Sequence, residues 1–178
     1  MKAYLIFIMF VISISTAKTQ TKEYVCMPCG STCDKVVHTK PGTCPSCHMK
    51  LVEKTALQFE NLSTEQFCKR ISDNPTGILL LDVRTQGEFD GSAWSSTYGH
   101  FKNAININVE ELAERMTELT KYKDREVLVY CSHSIRSPRA AMMLNENGFI
   151  NVKNMEGGVS TLHVKGNDCL EKNFAVHE

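Results

Sequence analysis

Two runs of consecutive apolar residues, ILLLDV (78–83) and EVLVYC (126–131), are the features that most constrain the fold of this chain. An uninterrupted apolar run is typical of a strand whose two faces are both covered, as in a parallel sheet. Helix signals accompany these runs: Ser63 with Gln66 has the spacing of a capping box, and SPRAAMMLNENG (137–148) opens on Ser-Pro and closes on glycine. Strands that alternate with helices predict an α/β fold with a parallel sheet and right-handed crossovers.

Weaker patterns continue this alternation along the chain. A short strand is expected before Ser63, and NVEELAERMTEL (108–119) predicts a helix capped by Asn108 with its apolar residues on one face. VKNMEGG (152–158) predicts a further strand that ends in a tight turn. The last stretch predicts a weaker helix that is broken at Gly166.

Cys131 stands where the second apolar run ends and the loop SHSIR begins. In open parallel sheets the functional site lies at the carboxyl ends of the strands. The loop leads into a helix whose expected cap is Ser137, with Pro138 at the first helical position, so backbone amides and a helix dipole would face the thiol. Together with the charge of Arg136, they would lower the pKa of the thiol and bind an anion. The pattern predicts a nucleophilic cysteine that acts on an anionic substrate.

Four motifs in order resemble the rhodanese (sulfurtransferase) family: LLLDVRTQGEF, GHFKNAININ, CSHSIRS and MEGG. The matching positions outside the cysteine loop include Asp82, Val83, Arg84, Glu88, Phe89, Gly99, His100, Ala104 and Asn106. The resemblance spans about residues 57–165 and implies a rhodanese-like parallel sheet flanked by helices. It further implies that Cys131 carries a persulfide sulfur within a cradle of backbone amides, contributed by Ser132, His133, Ser134, Ile135 and Arg136.

Three departures from the family pattern bear on the site. Ser134 stands in place of the loop glycine, so this position is expected to adopt either a strained conformation or a different loop path. Asn103 replaces the glycine before Ala104. Val159 and Leu162 stand where the family commonly has an aromatic residue after the final glycine pair.

Other interpretations of the cysteine loop remain open. Phosphatases with a similar cysteine–arginine logic use a loop one residue longer, so the four residues between Cys131 and Arg136 make a phosphatase or an arsenate reductase the minor alternative. Cys131 could also be an inert core thiol, and Arg136 could simply bind a carboxylate. His133 is either a solvated loop residue or a residue that contacts the substrate. Asp82, Arg84 and Glu88 are interpreted as a structural charge network.

A second module is indicated by five cysteines between residues 26 and 47. Cys26/Cys29 and Cys44/Cys47 form two C-x2-C pairs in a segment rich in turn residues, and four thiolates so arranged suit tetrahedral zinc. So short a segment buries little core, so a metal would supply most of its folding energy. A pair of disulfides is the alternative. Cys33, His38 and His48 are spare potential ligands, each expected singly to be a surface residue.

The same tract resembles the small heavy-metal-binding domain found beside metal-transport proteins. Tyr24, Cys26, Lys40-Pro41-Gly42, Cys44-Pro45, Cys47, Met49 and Leu51 match it. Cys29 stands where that family often has histidine, and His48 replaces a glycine. By this resemblance the module binds metal, either as structural zinc or for active metal handling.

The N-terminal segment predicts export. Lys2, an apolar stretch from Ala3 to Ile14 and Ser15-Thr16-Ala17 have the layout of a signal peptide, with cleavage after Ala17, although an uncleaved anchor is the alternative. The remaining chain then divides into the cysteine-rich module (18–54) and the rhodanese-like domain (55–178), in the periplasm or outside the cell. Cys68 and Cys169 fall on the first and last predicted helices of that domain, which leaves a disulfide open in an oxidising compartment.

Charge and motifs together define the predicted function. Twenty basic and twenty acidic residues balance, which argues against a nucleic-acid partner or a polybasic membrane surface. The predicted protein is an exported sulfurtransferase that takes sulfur from thiosulfate or a persulfide and passes it to a thiol or another thiophilic acceptor. It needs no cofactor for the transfer and keeps no stable membrane span after signal cleavage. The rival prediction is a metal-binding or redox-sensing protein whose rhodanese-like domain serves only for docking.

Overall fold

The structure is a computed structural model, and it describes residues 21–27, 31–93 and 98–177. The predicted signal peptide and Cys29, a predicted metal ligand, lie outside these residues. Within the described ranges, no helix has the length and apolar character needed to cross a membrane. The strands are β1 (Tyr24–Cys26), β2 (Val37–His38), β3 (Leu51–Glu53), β4 (Glu60–Leu62), β5 (Ile78–Asp82), β6 (His100–Phe101), β7 (Ile105–Asn106), β8 (Glu126–Tyr130), β9 (Val152–Met155) and β10 (Phe174–Ala175). The α-helices are α1 (Thr64–Asp73), α2 (Gln86–Asp90), α3 (Arg136–Glu146) and α4 (Asp168–Asn173).

A five-stranded sheet in the order β4-β9-β8-β5-β7 forms the centre of the larger domain. Every strand pairing in it is parallel, which confirms the predicted α/β architecture. The two apolar runs become the adjacent strands β5 and β8, with Leu80 opposite Leu128. All five residues of β5 are buried, as expected of a strand covered on both faces.

Alternating side chains of these strands supply two separate cores. Leu79 and Leu81 belong to the core beneath α3, which also contains Leu144. Leu80 and Tyr130 point to the opposite face and pack with Phe67 of α1. Because successive strand residues alternate between the faces of a sheet, a single apolar run fills both cores.

The start of α1 follows the sequence prediction closely. The Ser63 side chain accepts a hydrogen bond from the Gln66 N–H, and the Gln66 side chain accepts one from the Ser63 N–H. This completes the capping box. Leu62 and Phe67, on either side of the cap, are both buried in the same core.

The helix predicted over 108–119 is wrong. The chain there forms turns, followed by a 3-10 helix at Met116–Tyr122. Leu112, Met116 and Leu119 are nevertheless buried in the core beneath α3. Consecutive turns bring the same apolar residues to the sheet as an α-helix would. The spacing of these residues therefore did not distinguish turns from a helix.

The beginning of α3 also differs from the prediction. The helix starts at Arg136 rather than after Ser137, and its N-cap position, Ile135, makes no side-chain capping bond. Ser137 and Pro138 therefore lie inside the first turn. Because Ser137 is buried inside this turn, its hydroxyl is directed into the loop instead of capping the helix.

A disulfide between Cys68 and Cys169 joins α1 to α4, with their Cα atoms 6.1 Å apart. The two cysteines lie on the first and last helices of the domain, so the pairing that the sequence left open is present. The C-terminal stretch consists of a short 3-10 segment, α4 and β10, and β10 pairs antiparallel with β6. Gly166 lies just before α4, at a positive φ of 81°.

Candidate functional site

Cys131 lies directly after β8, at the carboxyl edge of the central sheet, where the sequence predicted it. Cys131 is only 1% exposed to solvent. The Ser137 hydroxyl donates a hydrogen bond to Cys131 Sγ at 3.4 Å. The Cys131 carbonyl accepts a bond from the Val159 N–H, which ties the cysteine to the turn after β9. Ser137 is a site residue that sequence reasoning took for a helix cap.

Of the five residues predicted to cradle a sulfur, Arg136 is half-buried and the other four divide into two groups. Ser132 and Ser134 are buried, whereas His133 and Ile135 face solvent, and the ring of His133 lies edge-on to Tyr98 at 6.0 Å. Ile135 is 51% exposed although it is a large apolar residue in the loop that follows Cys131. The loop therefore turns two hydroxyls inward and presents an imidazole and an aliphatic side chain outward.

Arg136 is held by a carboxylate. Its guanidinium donates two hydrogen bonds to Glu88, at 2.6 and 2.7 Å, and Ser132 Oγ donates to the same carboxylate at 3.0 Å. The Arg136 guanidinium holds the pKa of Glu88 well below its usual range. Arg136 thus binds a carboxylate, which was one of the alternatives that the sequence left open, and the pair fastens the cysteine loop to α2.

We expect Glu88→Gln to lower the free energy of unfolding at pH 7 by about 2 kcal/mol, because it leaves the half-buried Arg136 charge without its partner. The pKa of Glu88 is depressed in the folded state. The ion pair therefore contributes its full stability above the ordinary pKa of 4.5 and loses it as the pH falls towards the depressed value. Urea unfolding of both proteins between pH 7 and pH 3 should show their difference shrinking below pH 4.5. A difference that stays constant would contradict this assignment.

Three non-glycine residues of the described chain have a positive φ: His48 at 58°, Asn103 at 65° and Ser134 at 55°. All three stand where the resembling motifs have glycine. These residues have the left-handed conformation that glycine would adopt more readily, so the strained conformation expected at Ser134 is the one observed. At Ser134 the hydroxyl also accepts a hydrogen bond from the buried Asn154 amide at 2.9 Å.

A matched pair of variants separates these two effects at Ser134. Ser134→Ala removes the hydroxyl but keeps the Cβ, and we expect it to lower stability by about 1–2 kcal/mol. Ser134→Gly removes the same hydrogen bond and also relieves the left-handed strain, so it should be more stable than the alanine variant by about 1 kcal/mol. Urea unfolding midpoints measure the difference, and equal stabilities would argue against strain at this position.

Asp82 and Arg84, two of the three residues predicted to form a structural charge network, make a buried ion pair, whereas Glu88, the third, forms its ion pair with Arg136. Arg84 Nη2 donates to Asp82 Oδ2 at 2.6 Å and to the Gly99 carbonyl at 2.9 Å, and both charged residues are almost completely buried. The Asn106 side chain donates to the carbonyls of Asp82 and Arg84. The network connects the end of β5 to β7 and to the segment before β6. In addition, the Arg84 guanidinium lies over the Tyr130 ring, 6.0 Å from its centroid.

Four thiols gather in the N-terminal module. Its antiparallel sheet, in the order β2-β1-β3, brings together Cys26, Cys33, Cys44 and Cys47, whose sulfurs all lie within 4.8 Å of one another. Three of the four cysteines are buried. Cys26 Sγ and Cys47 Sγ lie 3.0 Å apart, and this hydrogen bond lowers the pKa of Cys47 to about 7.

Cys33 is the member of this cluster that spacing arguments missed. The expectation that it lies at the surface is wrong, because it is 4% exposed on the 3-10 segment Thr32–Lys35. Its only sequence signal was its place among five closely spaced cysteines. Cys29, which the C-x2-C spacing predicted as a ligand, lies outside the described residues, so that prediction stands untested.

The comparisons with known proteins cover the larger domain. Residues 63–164, more than half of the chain, match the model of the rhodanese-like domain family. The chain belongs to this family. The rhodanese-like domain protein from Staphylococcus aureus has the same fold, with 20% identity and a TM-score of 0.50, over 67% of this chain and 100% of that one.

Curated relatives of the rhodanese-like domain are longer than the matched region. The uncharacterized protein YqhL of Bacillus subtilis is 39% identical over 79 residues, which are 44% of this chain and 56% of that protein. A tRNA uridine(34) hydroxylase of Cytophaga hutchinsonii is 32% identical over 126 residues, which are 69% of this chain and 37% of that protein. The chain thus spans less than two thirds of either relative. The thiol cluster precedes the family match altogether.

The cluster beside the rhodanese-like domain fits a metal ion. Four sulfur donors within 4.8 Å, from β1, the Thr32–Lys35 segment and the turn at 44–47, suit a tetrahedral site, and thiolate ligands favour zinc or another soft ion. The apolar core around the thiols is small: among the described residues, Leu51 is the one buried non-cysteine residue that belongs to it. A bound ion would supply the folding energy that so small a core lacks.

We expect Cys33→Ser to weaken metal binding by about a hundredfold or more, because even changes to groups around the ligands commonly cost 10- to 100-fold. Titration with Co²⁺, followed by thiolate charge-transfer absorption, measures the loss. Cys131→Ser is the matched control, since it removes a buried cysteine that does not belong to the cluster. Cys29→Ser in the same assay tests the ligand that the spacing predicted. Unchanged binding in Cys33→Ser would exclude Cys33 from the site.

Proposed function

We propose that the protein is an exported sulfurtransferase in which Cys131 carries the transferred sulfur. One observation carries the proposal: a cysteine at the carboxyl end of a central parallel strand lies in a loop that leads into α3, with a hydroxyl donor on its sulfur. The sulfur donor is thiosulfate or a persulfide, and the acceptor is a thiol or another thiophile. Neither a nucleic acid nor a resident cofactor takes part in the transfer.

The reaction proceeds in two displacements. The Cys131 thiolate attacks the outer sulfur of thiosulfate, a new S–S bond forms, and sulfite leaves with the electron pair of the old bond. The acceptor thiolate then attacks the terminal sulfur of the Cys131 persulfide and regenerates the Cys131 thiolate. Ser137 Oγ is placed to stabilise negative charge on the cysteine sulfur, and the loop amides at the start of α3 are suited to the terminal sulfur.

Arg136 has a positioning role in this mechanism. Because both of its terminal nitrogens bind Glu88, it holds the loop in shape, and its charge is largely balanced before the substrate arrives. The sequence analysis assigned anion binding to the loop amides and Arg136 together. In this mechanism the loop amides and the Ser137 hydroxyl bind the anions, and Arg136 does not.

The mass of the purified protein before and after incubation with thiosulfate tests the proposal. A gain of one sulfur atom that maps to Cys131 by peptide digestion and is reversed by cyanide is the expected result. No gain, from protein that is folded and retains its metal, would reject sulfur transfer from thiosulfate and require the same measurement with a persulfide donor. Failure with both donors would overturn the proposal.

Export is part of the same proposal. The predicted signal peptide at 1–17 motivates it, and the Cys68–Cys169 disulfide supports it because such bonds persist in oxidising compartments. Sequencing the N-terminus of the protein recovered from the periplasm or the medium is the test, and we expect the mature chain to begin at Lys18.

A metal-binding protein with a non-catalytic rhodanese-like domain is the second candidate function. The thiol cluster favours it, as does the nearly complete burial of Cys131. It predicts tight binding of zinc or copper with no turnover of sulfur. The mass experiment separates the two candidates, because only the sulfurtransferase accumulates a persulfide. The hydroxylase activity in the name of one relative is not proposed here, since the chain matches 37% of that protein.

A further inference from the structure

We propose that Asn154 is a positioning residue for sulfur transfer: its side-chain amide holds Ser134, and with it the centre of the Cys131 loop, in the conformation that carries the sulfur. The inference rests on the proposed function and names a residue outside the loop on which that function depends. Asn154 lies on β9, beside the strand β8 that leads into Cys131.

Asn154 is a polar residue in an apolar setting. It is fully buried, and it pairs with Val129 of β8, two residues before Cys131. Val152, two residues earlier on β9, belongs with Val129 and Cys131 to the core beneath α3. Because successive strand residues alternate between the two faces of a sheet, Asn154 faces the same core. An amide is costly to bury there unless it is hydrogen-bonded.

The two polar atoms of the Asn154 amide are used unequally. Its nitrogen donates to Ser134 Oγ at 2.9 Å and to Asn61 Oδ1, on the neighbouring strand β4, at 2.8 Å. Its oxygen is buried and has no hydrogen-bond partner within the described part of the chain. An unpaired buried oxygen lowers stability, and a valine at this position would avoid it. What the asparagine supplies and a valine could not is the hydrogen bond to the loop.

Ser134 needs such an anchor because its backbone is left-handed, with a φ of 55°. For a residue with a Cβ, this conformation is less favourable than a right-handed or an extended one. Ser134 is also 4% exposed, so its hydroxyl depends on the protein for a hydrogen bond, and Asn154 provides one. Without Asn154, the hydroxyl loses this bond, and Ser134 can relieve both the strain and the lost bond by leaving the left-handed conformation.

The two ends of the loop are held by other contacts. Ser132 Oγ donates to Glu88 at 3.0 Å, and the Ser132 carbonyl accepts a bond from the Ser160 N–H at 2.9 Å. Arg136, at the other end, binds the same carboxylate of Glu88. Ser134 lies halfway between these fixed points, so a change in its φ would turn the peptide groups between them. Those peptide groups include the amides proposed to face the terminal sulfur.

Asn154→Val tests this role, because valine removes the amide and suits a buried strand position. We expect the rate at which Cys131 is loaded from thiosulfate, followed by the mass of the folded protein, to fall about tenfold to a hundredfold, since misplaced donors stabilise the transferred charge less well. Asn154→Ala, which removes the amide without adding a branch, repeats the measurement with a smaller side chain.

The addition of Ser134→Gly should cancel the loss. Glycine adopts the left-handed conformation without an anchor, and it has no hydroxyl to leave unpaired. The double variant Asn154→Val/Ser134→Gly should therefore be loaded at the rate of Ser134→Gly alone. A residue that only stabilises the fold would not show this dependence on residue 134.

Val152→Ala is the matched control, because Val152 lies on the same face of β9, two residues earlier, and in the same core. It should lower the urea midpoint through the cavity that it leaves, whereas the folded protein should be loaded at the wild-type rate. Hydrogen exchange of the peptide that contains the loop gives a readout without sulfur transfer. Exchange should be faster in Asn154→Val and should return to the level of Ser134→Gly in the double variant.

The outcomes distinguish this inference from the proposed function. If the wild-type protein is loaded and Asn154→Val is loaded equally fast, Asn154 has no positioning role, and the proposed function stands. The same conclusion follows if the loss is as large with Gly as with Ser at position 134, or if loading slows while exchange of the loop is unchanged. If the wild-type protein takes up no sulfur from thiosulfate or a persulfide, the proposed function fails first, and the positioning role fails with it.

Discussion

Cys131→Ala is expected to abolish sulfur transfer, with a loss of at least about a thousandfold in rate, because the nucleophile that forms the covalent intermediate is gone. No other described cysteine lies at the carboxyl edge of the central sheet: four gather in the N-terminal module, and two form the disulfide. Steady-state transfer from thiosulfate to cyanide measures the rate. The mass of the incubated variant should show no added sulfur.

Cys131→Ser is the control for packing around this residue. Serine nearly preserves the volume of the side chain and can still interact with Ser137, so the fold should persist while the nucleophile is lost. Both variants should unfold near the wild-type midpoint. If either folded variant transfers sulfur at the wild-type rate, Cys131 is not the carrier.

Removal of the Cys68–Cys169 disulfide is expected to have the largest effect on stability. The bond closes a loop between residues that are 101 positions apart, and chain-entropy arguments assign about 4–5 kcal/mol to a loop of that size. The double variant Cys68→Ala/Cys169→Ala should therefore unfold at much lower urea than the oxidised wild-type protein. Loss of the disulfide frees α4 from α1, and it should also weaken the pairing of the following strand, β10, with β6.

Reduction of the wild-type protein provides an independent comparison. The reduced protein should approach the stability of the double variant, and the reductant should leave the variant itself unchanged. Both measurements need saturating zinc, so that the thiol cluster stays in one state. Equal stability of the oxidised protein and the variant would show that α4 is held by packing alone.

Much of the fold followed from local patterns. The strands β5 and β8 were predictable because an apolar run can be buried on both faces only within a covered sheet. The capping box at Ser63 was predictable because its hydrogen bonds join residues three positions apart. The turns within 108–119 were not predictable, because the apolar spacing there suits both an α-helix and turns. Packing against the sheet decided between the two.

The candidate site divides in the same way. By itself, the sequence determined that Cys131 ends a central strand and begins a loop before a helix, since these are relations between neighbours in the chain. Only the tertiary structure decided that Glu88 neutralises Arg136, that Cys33 joins the thiol cluster and that Ser137 faces the cysteine sulfur. Each of these depends on the exact path of a loop or on residues brought together from distant segments. Hydrogen bonds and ion pairs form only over a few ångströms, so residue spacing along the chain does not reveal them.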